Sequence, residues 1–160
     1  MPRSVILLLR AAIVVAAALG MYHVCAVPFR AAVVEGDVER RSALADSATP
    51  QRAVILAREN LRDLDRIAPA RRLQASWYML YGGNCTILER WGEAVDVYTR
   101  ALRIDQRPEI YFNRALNRLR LGQIDAAAAD MATAVRFNPF LLDNLEGDLR
   151  ARVAAAAGLR

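Results

Sequence analysis

Apolar and charged residues alternate along most of this chain at the spacing of an α-helix. Residues 50–67 carry an apolar side chain every three or four positions, which places these side chains on one helix face. The same spacing recurs in residues 92–104, 108–119 and 124–137. After residue 38 no β-branched run alternates strictly between apolar and polar positions. The pattern therefore predicts an all-α protein.

Prolines and glycines mark the expected ends of these helices. Thr49-Pro50 combines an N-cap residue with a proline suited to the first helical position. Pro69 should stop that helix, and Gly122 allows the left-handed turn that ends a later one. Gly82-Gly83 falls inside a predicted helix, where each glycine costs about 1 kcal/mol relative to alanine. We expect another backbone to approach closely there.

The longest apolar run covers residues 11–29 and contains one ionisable side chain, His23. A membrane-spanning helix needs about 20 apolar residues, so this run is long enough. Arg3 and Arg10 lie on its N-terminal side, where a long basic side chain can reach the interface. Residues 1–30 are therefore predicted to be a membrane anchor.

Pro28 should end the anchor helix. Residues 31–48 mix charged and small side chains, as in a continuation of the helix past the membrane that is followed by a linker. A helical domain at residues 49–160 follows. The basic N-terminus favours a cytoplasmic start, with this domain on the outer, periplasmic side of a bacterial inner membrane. A cleaved signal peptide ending near Ala26 is the main alternative, and a buried core helix is another.

Small and bulky residues repeat at a fixed interval in the C-terminal half. Ala94, Tyr98 and Ala101 recur as Ala127, Met131 and Ala134, with the same offset in the numbering for each pair (127 − 94, 131 − 98 and 134 − 101 all equal 33). A two-helix unit of this length is typical of a helical solenoid.

Residues 107–139 resemble a tetratricopeptide repeat (TPR). The matching positions are Tyr111, Ala115, Gly122, Ile124, Ala127, Met131, Ala134 and the closing Pro139. Arg118 departs from the pattern, because the family commonly has an aromatic residue there. Residues 76–106 match less completely, with Glu89 at the turn glycine and Gln106 at the closing proline.

The resemblance implies a short TPR-like solenoid. Residues 50–69 read as the second helix of a degenerate repeat, and residues 139–157 as a capping helix. Family members bind extended protein segments on the concave surface formed by the first helices of their hairpins. The partner-binding candidates at these positions are Met79, Phe112, Asn113, Leu116, Asn117 and Arg120. Arg114, Arg118 and Arg120 could attract acidic partners, but the interpretation preferred for each is a side chain of a solvated helix surface.

The sequence offers little for catalysis. His23 is the only histidine, which excludes a histidine-dependent triad and a multi-histidine metal site. No phosphate-binding glycine motif occurs, and the aromatic residues have the spacing of core positions. Cys25 and Cys85 do not form a disulfide framework, and Cys85 reads as a small buried residue. We predict no enzyme activity, cofactor, metal or small-molecule substrate.

The net charge of +5 comes from 22 basic residues, all of them arginine, against 17 acidic ones. The arginines are interleaved with acids along the chain, as on a solvated helix surface, so nucleic acid is not expected as a partner. The function predicted is a membrane-anchored scaffold that binds a protein partner. Alternatives are a non-catalytic accessory subunit of a membrane enzyme or assembly complex, and an exported soluble TPR protein.

Overall fold

The computed structural model describes residues 3–159, with side chains described from residue 12 onward except at residue 46. Within this range the chain is helical and contains no strand, which confirms the all-α prediction. The helices are α1 (Arg3–Met21), α2 (Val27–Asp46), α3 (Pro50–Arg71), α4 (Ala75–Ile87), α5 (Trp91–Ala101), α6 (Pro108–Arg120), α7 (Ile124–Phe137) and α8 (Gly147–Ala157), with a π-helical turn at Tyr22–Ala26 and a 3-10 helical segment at Pro139–Asn144.

Helix α1 continues into α2 without a break. Met21 and Val27, on either side of the π-helical turn, both have right-handed helical backbone angles, and the Val27 N–H donates to the Tyr22 carbonyl five residues back. A proline lacks an N–H and its ring crowds the carbonyl four residues earlier, and the wider π turn accommodates both effects. The expectation that Pro28 ends the anchor helix was therefore wrong.

Residues 31–48, which the sequence suggested as a helix continuation followed by a linker, are helical up to Asp46 and pack against α3. The buried apolar side chains of α2 are Ala31, Val38 and Ala45, spaced seven residues apart. This stripe is only one residue wide and charged residues surround it, which is why the sequence did not reveal a packed helix.

The helical domain consists of three antiparallel hairpins, α2/α3, α4/α5 and α6/α7, followed by α8 against α7. Helix α3 is therefore paired with α2 and is not the lone second helix that the sequence suggested. Adjacent hairpins pack through α3 against α4 and through α5 against α6. Three stacked hairpins are about what a solenoid of this kind needs to bury a continuous core.

The sequence repeat is confirmed in the second and third hairpins. The starts of α4 and α6 differ by the repeat offset (108 − 75 = 33), as do the starts of α5 and α7 (124 − 91 = 33). The side chains that define the repeat are all buried: Ala94, Tyr98, Ala101, Ala127, Met131 and Ala134. The turns also correspond, because Gly122 and Glu89 have positive φ angles of 71° and 57°. Glu89 thus adopts the left-handed conformation at the position where the third hairpin has glycine.

Gly82 allows a close approach, but to a side chain and not to a backbone. A Cβ atom added to Gly82 would lie 2.8 Å from Cζ of Tyr98, whose ring packs from α5 onto α4. The neighbouring Gly83 has no such contact, since its added Cβ would meet only the Tyr98 hydroxyl oxygen at 3.9 Å. One glycine of the pair is therefore required by packing.

Two further boundaries differ from expectation. Helix α3 runs through Pro69 and ends two residues later at Arg71, so the proline marks the end of the helix only approximately. The predicted capping helix at residues 139–157 is divided into the 3-10 segment and α8. The Asn138 side chain does cap the 3-10 segment by accepting a hydrogen bond from the Phe140 N–H at 3.3 Å.

Candidate functional site

The first helices of the second and third hairpins, α4 and α6, line an open groove of about 440 Å³. Its walls carry mainly apolar side chains and amides. The lining residues used below are Met79, Leu80, Gly83, Asn84, Asn113, Leu116 and Asn117, with Tyr98 below them. A second cavity of about 430 Å³ adjoins the groove and shares Thr86, Leu116 and Asn117 with it. The two form one concave surface, here called the groove.

Five of the six candidate binding residues lie along this groove. Met79, Asn113, Leu116 and Asn117 line the larger cavity, and Arg120 lines the smaller one. These placements agree with the concave position that the repeat pattern predicted, and whether the residues bind a partner stays a prediction.

Phe112, the sixth candidate, lies outside the groove. Its partly buried ring packs against the cluster formed by α7 and α8, which includes Met131 and Val153. Phe112 therefore contributes to the core of the last hairpin in this structure.

Asn117 is only 1% exposed and connects two hairpins. Its Nδ2 donates to the Asn113 carbonyl at 2.8 Å, and its Oδ1 lies 3.0 Å from the Thr86 hydroxyl on α4. A buried amide with both of its polar atoms bonded has little capacity left for a ligand. Asn117 thus holds α6 in register with α4 and shapes the floor of the groove.

Asn84 has the same role one repeat earlier, and sequence reasoning missed it. Its Nδ2 donates to the Leu80 carbonyl at 2.7 Å, and its Oδ1 accepts from Nδ2 of Asn60 on α3 at 3.0 Å. Asn84 and Asn117 are separated by the repeat offset (117 − 84 = 33), which is the signal that could have identified the pair.

Arg114 and Arg118 are not part of a solvated surface, contrary to expectation. Both are largely buried and both donate to the carboxylate of Asp130 on α7, which is 5% exposed. Arg114 binds both carboxylate oxygens, at 2.8 and 2.7 Å. Arg118, which replaces the usual aromatic residue, thus joins α6 to α7 through a charge pair.

Arg120 supplies the charge at one end of the groove. Its side chain is exposed, and its guanidinium carbon lies 5.8 Å from the centre of the Trp91 ring, in a cation–π arrangement. Among the described side chains that line the two cavities, Arg120 alone is charged.

The groups beneath the groove are neutral at physiological pH. Burial raises the pKa of the Tyr98 phenol and of the Cys85 thiol, each to about 12. A thiol with so high a pKa is not a nucleophile near neutral pH. The buried Cys85 agrees with its expected structural role.

Asn113 is the one amide of the groove wall whose side chain makes no hydrogen bond within the described chain. It is partly exposed, one turn before Asn117 on α6. Leu116 is 42% exposed beside it. The groove therefore offers apolar area and a free amide, the combination suited to holding a segment of another protein.

Comparisons with known proteins agree with this architecture. A crystal structure of a TPR protein from the thermophile Thermus thermophilus matches with a TM-score of 0.61 and 26% identity, over 79% of this chain and 63% of that one. PcrH in complex with the chaperone binding region of PopD matches with a TM-score of 0.51 and 20% identity, over 78% of this chain and 88% of that one. A T3SS complex from Aeromonas hydrophila has the same TM-score and identity, over 76% and 77% of the two chains.

No protein-family model matches the chain. Among curated proteins, serine/threonine-protein phosphatase T of Trypanosoma brucei brucei (strain 927/4 GUTat10.1) is 40% identical over 58 residues, which is 36% of this chain and 12% of that protein. The chain thus spans only a small part of the phosphatase and less than two thirds of the Thermus protein. The structural matches confirm the predicted TPR-like fold.

Proposed function

We propose that this protein is a membrane-anchored, non-catalytic scaffold that holds a segment of a partner protein in the groove between α4 and α6. The observation that carries this proposal is the groove itself, an open concave surface with an exposed leucine and an unbonded amide on a TPR-like array. PcrH shares the fold and holds the chaperone binding region of PopD, so a fold of this kind can hold part of another protein.

The groove suggests what kind of segment it would accept. Its apolar walls favour a partner with exposed apolar side chains, whose burial contributes about 25 cal/mol per Å². Asn113 can pair with one peptide group of the partner's backbone, and Arg120 favours an acidic residue at that end. The pairing of Arg114 and Arg118 with Asp130 leaves the rest of the groove without strong charge.

Partner capture from cells tests this proposal. Leu116→Glu places a charge among the apolar walls, whereas Ala129→Glu places the same charge on the exposed face of α7. We expect a crosslinked partner to be recovered with the unmodified chain and with Ala129→Glu, but not with Leu116→Glu. Equal recovery with both variants would mean that the partner binds elsewhere.

The proposed anchor rests on the exposure of the N-terminal helix. A helical stretch at Ala12–Ala45 contains a window of mean hydropathy 1.9 that is entirely unburied within the described chain. A core helix of a soluble protein would be covered, so this observation disfavours the core-helix alternative, whereas a signal sequence would look the same. We place the anchor in a bacterial inner membrane as a single span, with the helical domain in the periplasm.

A topology reporter fused after residue 160 tests this placement. An alkaline phosphatase fusion should be active and a fluorescent protein that folds only in the cytoplasm should be dark. The reverse result would place the domain in the cytoplasm. Recovery of a shortened chain lacking residues 1–26 would show instead that the segment is a signal peptide.

The exposed side chains of residues 12–21 in α1 favour a second function. The protein would be an accessory subunit that contacts a membrane enzyme or assembly complex through this helix. Gly20 has no atom within 4 Å of an added Cβ, so the helix offers a small-residue surface to another helix. Replacing residues 12–26 with an unrelated apolar helix separates the two ideas. Partner capture survives this exchange if the groove binds the partner, and is lost if α1 does.

A further inference from the structure

Two inter-hairpin connections, and the connection from the last hairpin to the 3-10 segment, lie at the end of the array where the apolar helix enters. Helix α2 leaves that end and α3 returns to it, because Nη2 of Arg71 donates to the Pro28 carbonyl at 3.2 Å. The antiparallel order of α4 to α7 then brings the segments after α5 and after α7 to the same end. This end is here called the anchor-side end.

At each connection of the anchor-side end, or in the helix end that leads into it, an arginine is followed by a large exposed apolar residue. The pairs are Arg72-Leu73, Arg103-Ile104 and Arg136-Phe137, and their arginines are all exposed. The exposed fractions are 84% for Leu73, 46% for Ile104, 62% for Phe137 and 81% for Phe140, which follows closely. Phe29, at the point where the helix enters, is 70% exposed.

The opposite end of the array also has large exposed apolar residues, such as Leu44 at 58%, but they do not each follow an arginine. Its one comparable pair within the described chain is Arg120-Leu121, in which Leu121 is 41% exposed and the arginine lies over Trp91. The exposed acids Glu89 and Asp125 lie at this end. At the anchor-side end, Asp105 is paired with Arg107 at 2.6 Å, and the exposed acid Glu109 follows in the first turn of α6.

We propose that the anchor-side end of the array lies on the bilayer surface and binds anionic phospholipid headgroups. The arginines of the three pairs meet lipid phosphates, and the neighbouring apolar side chains enter the interface between headgroups and acyl chains. This proposal rests on the proposed membrane anchor, whose helix runs without a break into α2 and so brings this end to the membrane.

The consequence is a fixed orientation for the scaffold. A single anchor helix alone would allow the domain to lean in any direction, whereas contact through three connections fixes the hairpins upright. The groove between α4 and α6 would then open sideways, parallel to the membrane, and the opposite end of the array would face away from it.

Quenching of tryptophan fluorescence by brominated lipids measures this contact in the full chain. The chain is placed in nanodiscs containing phosphatidylglycerol, and a new indole is introduced by Leu73→Trp or Phe137→Trp. Leu121→Trp is the matched control at the opposite end, and Val15→Trp is the control for the anchor. The emission of the unmodified chain is subtracted to remove the native tryptophans.

We expect loss of emission for the indoles at positions 73, 137 and 15, and none at position 121. Quenching at position 15 alone would contradict the proposed surface contact but would still support the membrane anchor. Absence of quenching at position 15 would overturn the anchor itself, and the proposal with it. Quenching at position 121 as strong as at position 73 would also contradict it.

The role of charge is tested separately. Changing Arg72, Arg103 and Arg136 to glutamine should reduce the quenching at position 137 in phosphatidylglycerol discs. Hydrogen exchange of the unmodified chain gives an independent readout: the backbone of residues 102–107 should exchange more slowly in phosphatidylglycerol than in phosphatidylcholine discs. Equal exchange in both lipids would show that anionic headgroups are not bound.

Discussion

Two adjacent glycines of α4 should respond differently to the same substitution. The Cβ atom of Gly82→Ala would lie 2.8, 2.9 and 3.0 Å from three ring atoms of Tyr98, whereas that of Gly83→Ala would lie 3.9 Å from the Tyr98 hydroxyl oxygen alone. Tyr98 is 2% exposed and held between α4 and α5, so its ring cannot simply move aside.

The magnitudes follow from helix propensity and overpacking. Alanine is favoured over glycine inside a helix by about 1 kcal/mol, so Gly83→Ala should stabilise the protein by about that amount. At Gly82 the added methyl group would also overpack the core, which costs about 1 to 3 kcal/mol and so cancels or exceeds the gain in helix propensity. The two variants should therefore differ by about 1 to 3 kcal/mol, with Gly83→Ala the more stable.

Thermal unfolding of the full chain in detergent micelles, followed by circular dichroism, measures the difference. About 1 kcal/mol corresponds to a shift of roughly 4 °C for a domain of this size. Adding Tyr98→Leu to Gly82→Ala should remove most of the penalty, because the clashing ring atoms are gone. Equal melting temperatures for the two alanine variants would refute the packing of Tyr98 on Gly82.

Three further predictions concern buried polar groups. Asp130→Ala leaves the buried Arg114 and Arg118 without their carboxylate and should lower the free energy of unfolding in denaturant by about 3 to 5 kcal/mol. Asp125 is fully exposed, so Asp125→Ala should change this free energy little. Equal losses for the two variants would contradict the buried pairing. The carboxylate of Glu35 accepts a hydrogen bond from the Ser76 hydroxyl at 2.7 Å and lies 3.2 Å from Nε of Arg71 without the alignment of a hydrogen bond. Glu35→Ala should therefore lower the free energy of unfolding by about 1 to 3 kcal/mol and speed hydrogen exchange in α2. Unchanged exchange would mean that α2 is not docked. Burial raises the pKa of Tyr98 from the ordinary 10.0 to about 12 in the folded state, so the neutral phenol stabilises the fold fully below pH 10 and this contribution is lost as the pH rises towards 12. Tyr98→Phe should flatten the fall in stability over this pH range. An unchanged slope would contradict the burial of the phenol.

The sequence predicted the second and third hairpins well because their packing is local and repetitive. The small and bulky residues of α5 and α7 recur at one interval, and Gly122 marks the turn between α6 and α7. Each of these hairpins is therefore recognisable within a single repeat length. The first hairpin has no such pattern, and its helix α2 buries only a narrow stripe that charged residues obscure.

The candidate groove was located from the repeat pattern, but the detailed roles of its residues were not. Position in a repeat predicts which helix face a side chain occupies. It does not reveal that Asn117 bonds Thr86, or that Arg114 and Arg118 share Asp130, since these partners lie on other helices. Such long-range pairings depend on the register between neighbouring helices.

Site-specific photo-crosslinking in intact cells tests the groove as the partner site most directly. A photoreactive residue is placed at Met79 or Leu116 in the groove, or at Ala129 on the exposed face of α7. We expect covalent capture of one segment of the same protein from both groove positions and none from position 129. Capture from position 129 alone, or of unrelated segments from the two groove positions, would contradict the proposed site.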